Sequence, residues 1–183
     1  MTTRLALLLT LPLAAQVTSD RLLHPDREPH NWLTYSGAYH SQRYSLLDQI
    51  TPVNAGALEQ KWVFQANSLD KFEATPLVVD GVMYLTQAPN DVVALDARTG
   101  RPFWIYNYRP SPRADVCCGK VNRGLAILGD TLFMGTIDAH LIALDAPSGR
   151  PLWNVEVADH RLGYALTLAP LVVQDKVIVG TAG

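Results

Sequence analysis

The sequence is poor in cysteine and poor in charge. Two Cys among 183 residues exclude both a disulfide scaffold and a multi-thiolate zinc centre, and the five His show no ligand spacing that would replace thiolates. Charged residues make up 17%, below the roughly 25% usual for soluble domains, and the formal net charge is −2. That balance leaves no compositional argument for nucleic acid or an anionic membrane surface as partner. Apart from the first fifteen residues, no apolar segment approaches the about 20 residues that span a bilayer. What is present is a hydrophobic fraction of 48%, which excludes disorder, coiled coil and collagen-like sequence. Length alone suggests one domain.

Arg4 precedes an apolar run, Leu5 to Ala15, that ends in Ala14 and Ala15. A basic start, an apolar stretch and a small-residue end read as a secretory signal over residues 1–15. Leu13 stands where a small residue is preferred; the alternative is a short buried helix, against which Pro12 counts. No Cys adjoins the cleavage position, so no lipid anchor is expected. The expected product is periplasmic and not membrane-spanning.

Internal repetition decides the expected architecture. Ala94–Trp104 (ALDARTGRPFW) recurs 49 residues later as Ala143–Trp153 (ALDAPSGRPLW). Before each copy lies a matched pair of apolar segments, Thr75–Thr86 and Gly124–Gly135, and a third version, Ala169–Gly180, follows the second by 45 residues. Asp80-Gly81, Gly129-Asp130 and Gln174-Asp175 separate β-rich runs as hairpin turns do. Thr99-Gly100 and Ser148-Gly149 mark a second turn, with Asp96 and Asp145 placed to cap it. Several short strands at a period of about 40–50 residues predict an all-β chain built of β-propeller blades; a β-solenoid is the alternative, with rungs that are normally shorter. The repeated Trp is expected to pack between adjacent blades. Residues 16–60 read as an N-terminal arm, polar and extended over 20–31, with a short helix opening at Thr51-Pro52 and running toward Gln60. A strand carrying Trp62, Val63 and Phe64 is expected next, and 61–183 is expected to be a partial propeller that stops inside its third blade.

Cys117 and Cys118 are adjacent. A bond between neighbours closes almost no loop, and a trans peptide holds the Cα atoms about 3.8 Å apart, below the usual disulfide span. A vicinal disulfide would therefore be a strained eight-membered ring presenting a flat sulfur surface to a planar ligand; two buried reduced thiols are the alternative. Arg123 could offer a fork to a carboxylate, or simply be a surface arginine. Glu73 and Thr167 occupy comparable places before their repeated strands, so three polar residues would converge at one end of the propeller axis.

These stretches carry a family resemblance. Trp32, Tyr35-Ser36-Gly37, Arg43-Tyr44-Ser45, Gln49-Ile50, Glu73–Val79, the two repeated ALDA motifs, Cys117-Cys118-Gly119, Val121–Gly124, Thr167 and Ala169–Leu171 resemble the pyrroloquinoline-quinone (PQQ)-dependent alcohol dehydrogenases. The likeness runs over residues 32–183, and the Cys pair favours the methanol and ethanol enzymes over the glucose dehydrogenases. Leu46 departs from the family, which has Pro there. The resemblance implies about three blades of an eight-bladed propeller, with a Cys117–Cys118 disulfide ring stacked on PQQ. It implies a cofactor-binding set of Glu73, Cys117, Cys118, Val121, Arg123, Thr167, Ala182 and Gly183. It also implies oxidation of primary alcohols to aldehydes, with electrons passed to cytochrome c or a quinone.

In the family a calcium or lanthanide ion and a catalytic Asp complete the site, and their residues are expected beyond Gly183. The chain is expected to be part of a longer reading frame and inert alone, with neither catalytic nor metal-ligating residues of its own. A non-catalytic envelope propeller scaffold or a pseudogene product is the rival reading; a scaffold would share the blade motif without needing the Cys pair or Arg123.

Overall fold

A computed structural model describes residues 16–182, so the segment 1–15, where a secretory signal is expected, and Gly183 lie outside the described residues. Strands β1 (Leu77–Val79), β2 (Val82–Gln87), β3 (Asp91–Asp96) and β4 (Pro102–Tyr106) form one antiparallel sheet in chain order. Strands β5 (Ala126–Leu128), β6 (Thr131–Gly135), β7 (His140–Asp145) and β8 (Pro151–Glu156) repeat it. Strands β9 (Leu171–Val173) and β10 (Lys176–Ile178) begin a third unit as a hairpin. This is the expected propeller architecture: two complete blades and the start of another. Even the irregularities repeat, since the β3–β4 and β7–β8 ladders slip register at the matching places, Ala94/Leu95 and Ala143/Leu144.

The turns follow from their residues. Asp80 (φ 50°) and Gly81 (φ 86°) both take the left-handed conformation of a two-residue hairpin turn. The Asp96 carboxylate accepts from the amides of Arg98 (2.8 Å) and Thr99 (3.2 Å), and Asp145 accepts from the Ser148 amide (3.0 Å), so both cap their turns as expected.

Adjacent blades meet through tryptophan and glycine. The Trp104 ring lies on Gly149, where an added Cβ would come within 2.5 Å of the indole, and the Trp104 Nε1–H donates to the Ala146 carbonyl (3.0 Å). Trp62 lies on Gly100 in the same way. The main core fills the space between the two sheets, with Leu77, Val92 and Ala94 facing Leu125, Ile127, Leu132, Met134, Ile142 and Leu144. On the outer face of the first sheet, Trp62 and Phe64 pack against Leu85, Val93 and Leu95.

Three local expectations are corrected. The helix from Thr51 toward Gln60 is a single 3-10 turn, Ala55–Ala57. Every residue of 49–60 is exposed, so no apolar face anchors a helix, and the Asn54 side chain takes the Thr51 amide (2.7 Å) instead. Residues 62–64 form no strand ladder among the described residues, although side chains over 61–68 alternate between exposed and half-buried as a strand's do. The arm over 20–31 is not simply extended: Thr18 caps a short helix α1, Ser19–Leu23, whose Leu22 is buried, and a 3-10 turn follows at Pro25–Arg27. Among the described residues no helix is long and apolar enough to cross a membrane.

The arm ties the three units together at their first hairpin turns. Val17 exchanges backbone bonds with Gly129, the Ser19 hydroxyl donates to the Gln174 carbonyl (2.9 Å), and Arg21 grips Asp80 (2.8 and 3.1 Å) together with Glu28. Burial alone would push the Asp80 carboxyl up, but hydrogen bonds from Arg21 and Asn31 outweigh it and hold it below the usual carboxylate range. Glu28 is held low chiefly by Arg21.

Two outcomes are expected. Trp104→Ala should cost about 3 kcal/mol and Gly149→Ala about 1–3 kcal/mol. The double variant should cost less than their sum by more than about 0.5 kcal/mol, because the vacated indole space admits the new methyl; denaturant midpoints of the four proteins measure this. Because Asp80 and Glu28 have lowered folded-state pKa values, the clasp is fully present above the ordinary value near 4 and is lost as pH falls through the folded values. Hydrogen exchange of residues 16–33, corrected for intrinsic rate, should therefore accelerate below about pH 4, and Arg21→Ala should abolish that dependence.

Candidate functional site

The innermost strands β1, β5 and β9 start at one end of the assembly, and the segments leading into them are joined by backbone hydrogen bonds. The Thr75 amide donates to the Arg123 carbonyl (3.1 Å), and the Arg123 amide donates to the Thr167 carbonyl (3.1 Å). Gly124 makes this approach feasible: its φ is +132°, and a Cβ there would lie 2.9 Å from the Thr75 carbonyl oxygen. Buried Asn122 holds the same corner, its Nδ2 donating to the Gly135 carbonyl (2.9 Å) and its Oδ1 accepting from the Gly124 amide (3.0 Å).

The side chains that this backbone carries come together as expected. Arg123 Nη2 lies 3.0 Å from Glu73 Oε2, and Arg123 Nη1 donates to the Thr167 hydroxyl (3.0 Å) and carbonyl (3.3 Å). The Arg123 and Glu73 side chains are 41% and 37% exposed. A pair that open contributes little to stability, about 0–1 kcal/mol, so the guanidinium can exchange Glu73 for an incoming carboxylate at small cost. The chemistry of this end is that of an anion receptor: one cationic fork, one hydroxyl donor, and a carboxylate that keeps the fork oriented.

Cys117 and Cys118 sit on the loop 107–125 between β4 and β5, and both are exposed thiols in this structure. Of the alternative of two buried reduced thiols, the burial is corrected, while the thiols are free as that alternative had them. A hydrogen bond with Cys118, and its charge, push the Cys117 thiol up, away from the range of an activated thiolate. Lys71 Nζ donates to the Cys118 carbonyl (3.1 Å), linking the Cys loop to the segment that bears Glu73. Val121 is 5% exposed and belongs to the interior beside the site. Ala182 is exposed and exchanges two backbone bonds with Ala165 (2.8 and 2.9 Å), on the segment that leads to Thr167; Gly183 lies outside the described residues.

Lys71 and Asn122 also contribute to this corner, through the Cys118 and Gly135 carbonyls. Lys71 stands two residues before Glu73, and Asn122 lies inside the quoted Val121–Gly124 string, which was the signal available. Away from this end, Glu156, Asp159 and His160 offer ligand atoms within 4.8 Å of one another. Within this grouping Arg161 pairs with Asp159 and holds its carboxyl down at about 2.

Residues 32–183 match the PQQ family described as glucose/ethanol/alcohol dehydrogenase, beta-propeller domain. The chain belongs to this family. It is 40% identical over 178 residues to the quinohemoprotein alcohol dehydrogenase ADH-IIG of Pseudomonas putida, covering 96% of this chain and 25% of that protein. It is 38% identical to the quinoprotein alcohol dehydrogenase PedH of Pseudomonas putida, covering 97% and 30%. The lanthanide-dependent methanol dehydrogenase of Methylacidiphilum fumariolicum is 41% identical, with 90% and 28% covered. This PQQ propeller chain thus spans about a quarter to under a third of its relatives' length. Solved structures agree: ADHIIG from Pseudomonas putida HK5 superposes with a TM-score of 0.91 over 94% of this chain and 26% of its own, at 40% identity. A europium-containing methanol dehydrogenase gives 0.85 at 41% identity, covering 90% and 29%. BamB from Moraxella catarrhalis, at 21% identity and a TM-score of 0.51 over 66% of the chain and 33% of its own, shares the fold alone.

Gly124→Ala tests the backbone junction. The methyl group cannot fit against the Thr75 carbonyl without parting the two blades, so a loss of about 1–3 kcal/mol is expected. Faster exchange of the Thr75 and Arg123 amides should accompany it, with the Val92 and Ile142 amides of the strand interiors unchanged.

Proposed function

We propose that this chain forms one side of the cofactor site of a PQQ-dependent dehydrogenase that oxidises primary alcohols to aldehydes. The observation that carries this reading is the contiguous Glu73–Arg123–Thr167 group at the strand starts of three units, in the same chain as the vicinal Cys pair. PQQ is planar and carries three carboxylates, and the residues present fit such a group. Arg123 supplies a bidentate cationic fork, Thr167 a hydroxyl donor, and the fork is open enough to be reached. Glu73 would otherwise set a negative charge beside an anionic cofactor, but Arg123 bridges it at 3.0 Å.

When bound, the quinone supplies the two-electron acceptor for the alcohol. The residues of this chain bind and orient it. Arg123 would exchange Glu73 for a cofactor carboxylate, Thr167 would offer its hydroxyl as a further donor, and Cys117 with Cys118, once oxidised, would offer a rigid sulfur surface to a planar group. A calcium or lanthanide ion, a general base and an electron acceptor such as cytochrome c or a quinone would come from outside these residues. Export to the periplasm through residues 1–15 fits a disulfide at Cys117–Cys118, which an oxidising compartment would maintain. Without the base and the metal, the segment by itself would not turn over alcohol.

PQQ binding to the full chain, followed by equilibrium dialysis, tests the reading. Arg123→Ala should weaken binding by about 10- to 100-fold, through loss of two charge-assisted hydrogen bonds, and Thr167→Val by about 3- to 10-fold. Unaltered affinity in the Arg123 variant would remove the proposal.

A further inference from the structure

The loop that carries Cys117 and Cys118 is exposed at its tip yet pinned at both ends, and both pins land on one five-residue stretch of the neighbouring blade. That stretch, Gly135–Ala139, comprises the last residue of β6 and the four-residue turn into β7. At the start of the loop, Asp138 Oδ2 accepts from the Tyr108 hydroxyl (3.1 Å) and the Ser111 amide (2.8 Å), while Asp138 Oδ1 accepts from the Thr136 hydroxyl (2.5 Å). At the end of the loop, Asn122 Nδ2 donates to the Gly135 carbonyl (2.9 Å), which also accepts from Asn90 Nδ2 of the first blade (3.3 Å). The same turn reaches the third unit, where the Leu166 amide donates to the Thr136 carbonyl (2.9 Å).

Asp138 is 4% exposed, and among the described residues no basic side chain pairs with it. A buried carboxylate without a cation is costly, and it persists only where several donors are held to satisfy it. Here two of its three donors belong to the Cys loop. Burial and the Asp138 charge push the Tyr108 hydroxyl up to about 12, so it remains a donor at neutral pH. Gly135 is equally constrained, since a Cβ there would stand 2.7 Å from the Leu166 Cβ.

We propose that the Gly135–Ala139 stretch positions the Cys117–Cys118 pair, with Asp138 as the positioning residue that fixes the loop in the geometry the vicinal disulfide needs. The role assigned to the pair rests on the cofactor reading, but the positioning does not, so its test is made without PQQ. A strained eight-membered ring forms only while its loop is held, and loosening the anchor should favour the open dithiol. The readout is the equilibrium of the oxidised full chain with dithiothreitol: the reagent's two thiols become its cyclic disulfide, and Cys117 and Cys118 each gain a proton and an electron. Mass after alkylation counts the two forms.

Asp138→Asn should shift this equilibrium toward the dithiol by about 3- to 10-fold, and Tyr108→Phe, which removes one strut and preserves the fold, should shift it less in the same sense. Leu132→Val, at the far end of the same sheet, serves as a control that lowers stability without touching the turn. An equilibrium unmoved in both anchor variants overturns the proposal. So does an equal shift in the control, a shift toward the disulfide, or a pair that stays as two thiols in every protein. Arg123→Ala should leave the equilibrium unchanged while PQQ binding falls, which separates failure of this inference from failure of the cofactor reading.

Discussion

The structure depends on one contact made twice: an indole ring, once from the segment before the first unit and once from the first unit itself, lying on a turn glycine of the unit that follows it. Trp62 lies on Gly100 and Trp104 on Gly149, each glycine at φ +71° in the turn between third and fourth strands. The ring needs a bare backbone and the turn needs a left-handed residue, and glycine answers both demands. The contact fixes the distance and rotation between units, and the core between the sheets follows. Once one blade is docked, the next must present its inner strand at the same end of the stack.

The candidate site is a consequence of that stacking. No single blade could build it, because Glu73, Arg123 and Thr167 come from three separate units. Each is placed by backbone that is heavily constrained: Gly124 by its contact with Thr75, Arg123 by bonds on both its amide and its carbonyl. The side chains above that backbone are left half open. Rigidity below and exposure above is the arrangement that a receptor for a planar anion requires, since binding then costs little reordering. The opposite end of the stack is devoted to stability, where Arg21, Asp80, Glu28 and the arm's backbone bonds clasp the hairpin turns.

Much of this was legible from residues alone, and the reason is repetition. Two copies of the Asp–Gly–Trp pattern located the turns, their caps and the inter-blade tryptophan, and alignment of the copies put Glu73, Arg123 and Thr167 at equivalent places. Features that depend on what lies across the fold were not legible. Thr51-Pro52 looks like a helix start, yet the segment has no surface to bury against and winds only one turn. Thr18 and Leu22 carry a cap and an anchor for α1, but the surrounding polar residues and prolines concealed them. Asp138 resembles any turn aspartate in sequence; only the fold shows Tyr108 and Ser111 arriving from another blade. The family match accounts for the fold, and the structure adds how Arg123, Thr167 and Glu73 meet at one end of it.

The central claim is that this end of the stack receives PQQ, and a structure of the full chain crystallised with PQQ tests it most directly. The account predicts the planar ring lying against Cys117 and Cys118, with the Arg123 guanidinium and Thr167 hydroxyl within hydrogen-bond distance of its polar groups. A quinone bound elsewhere, or one at this end that touches neither Arg123 nor the Cys pair, would contradict it.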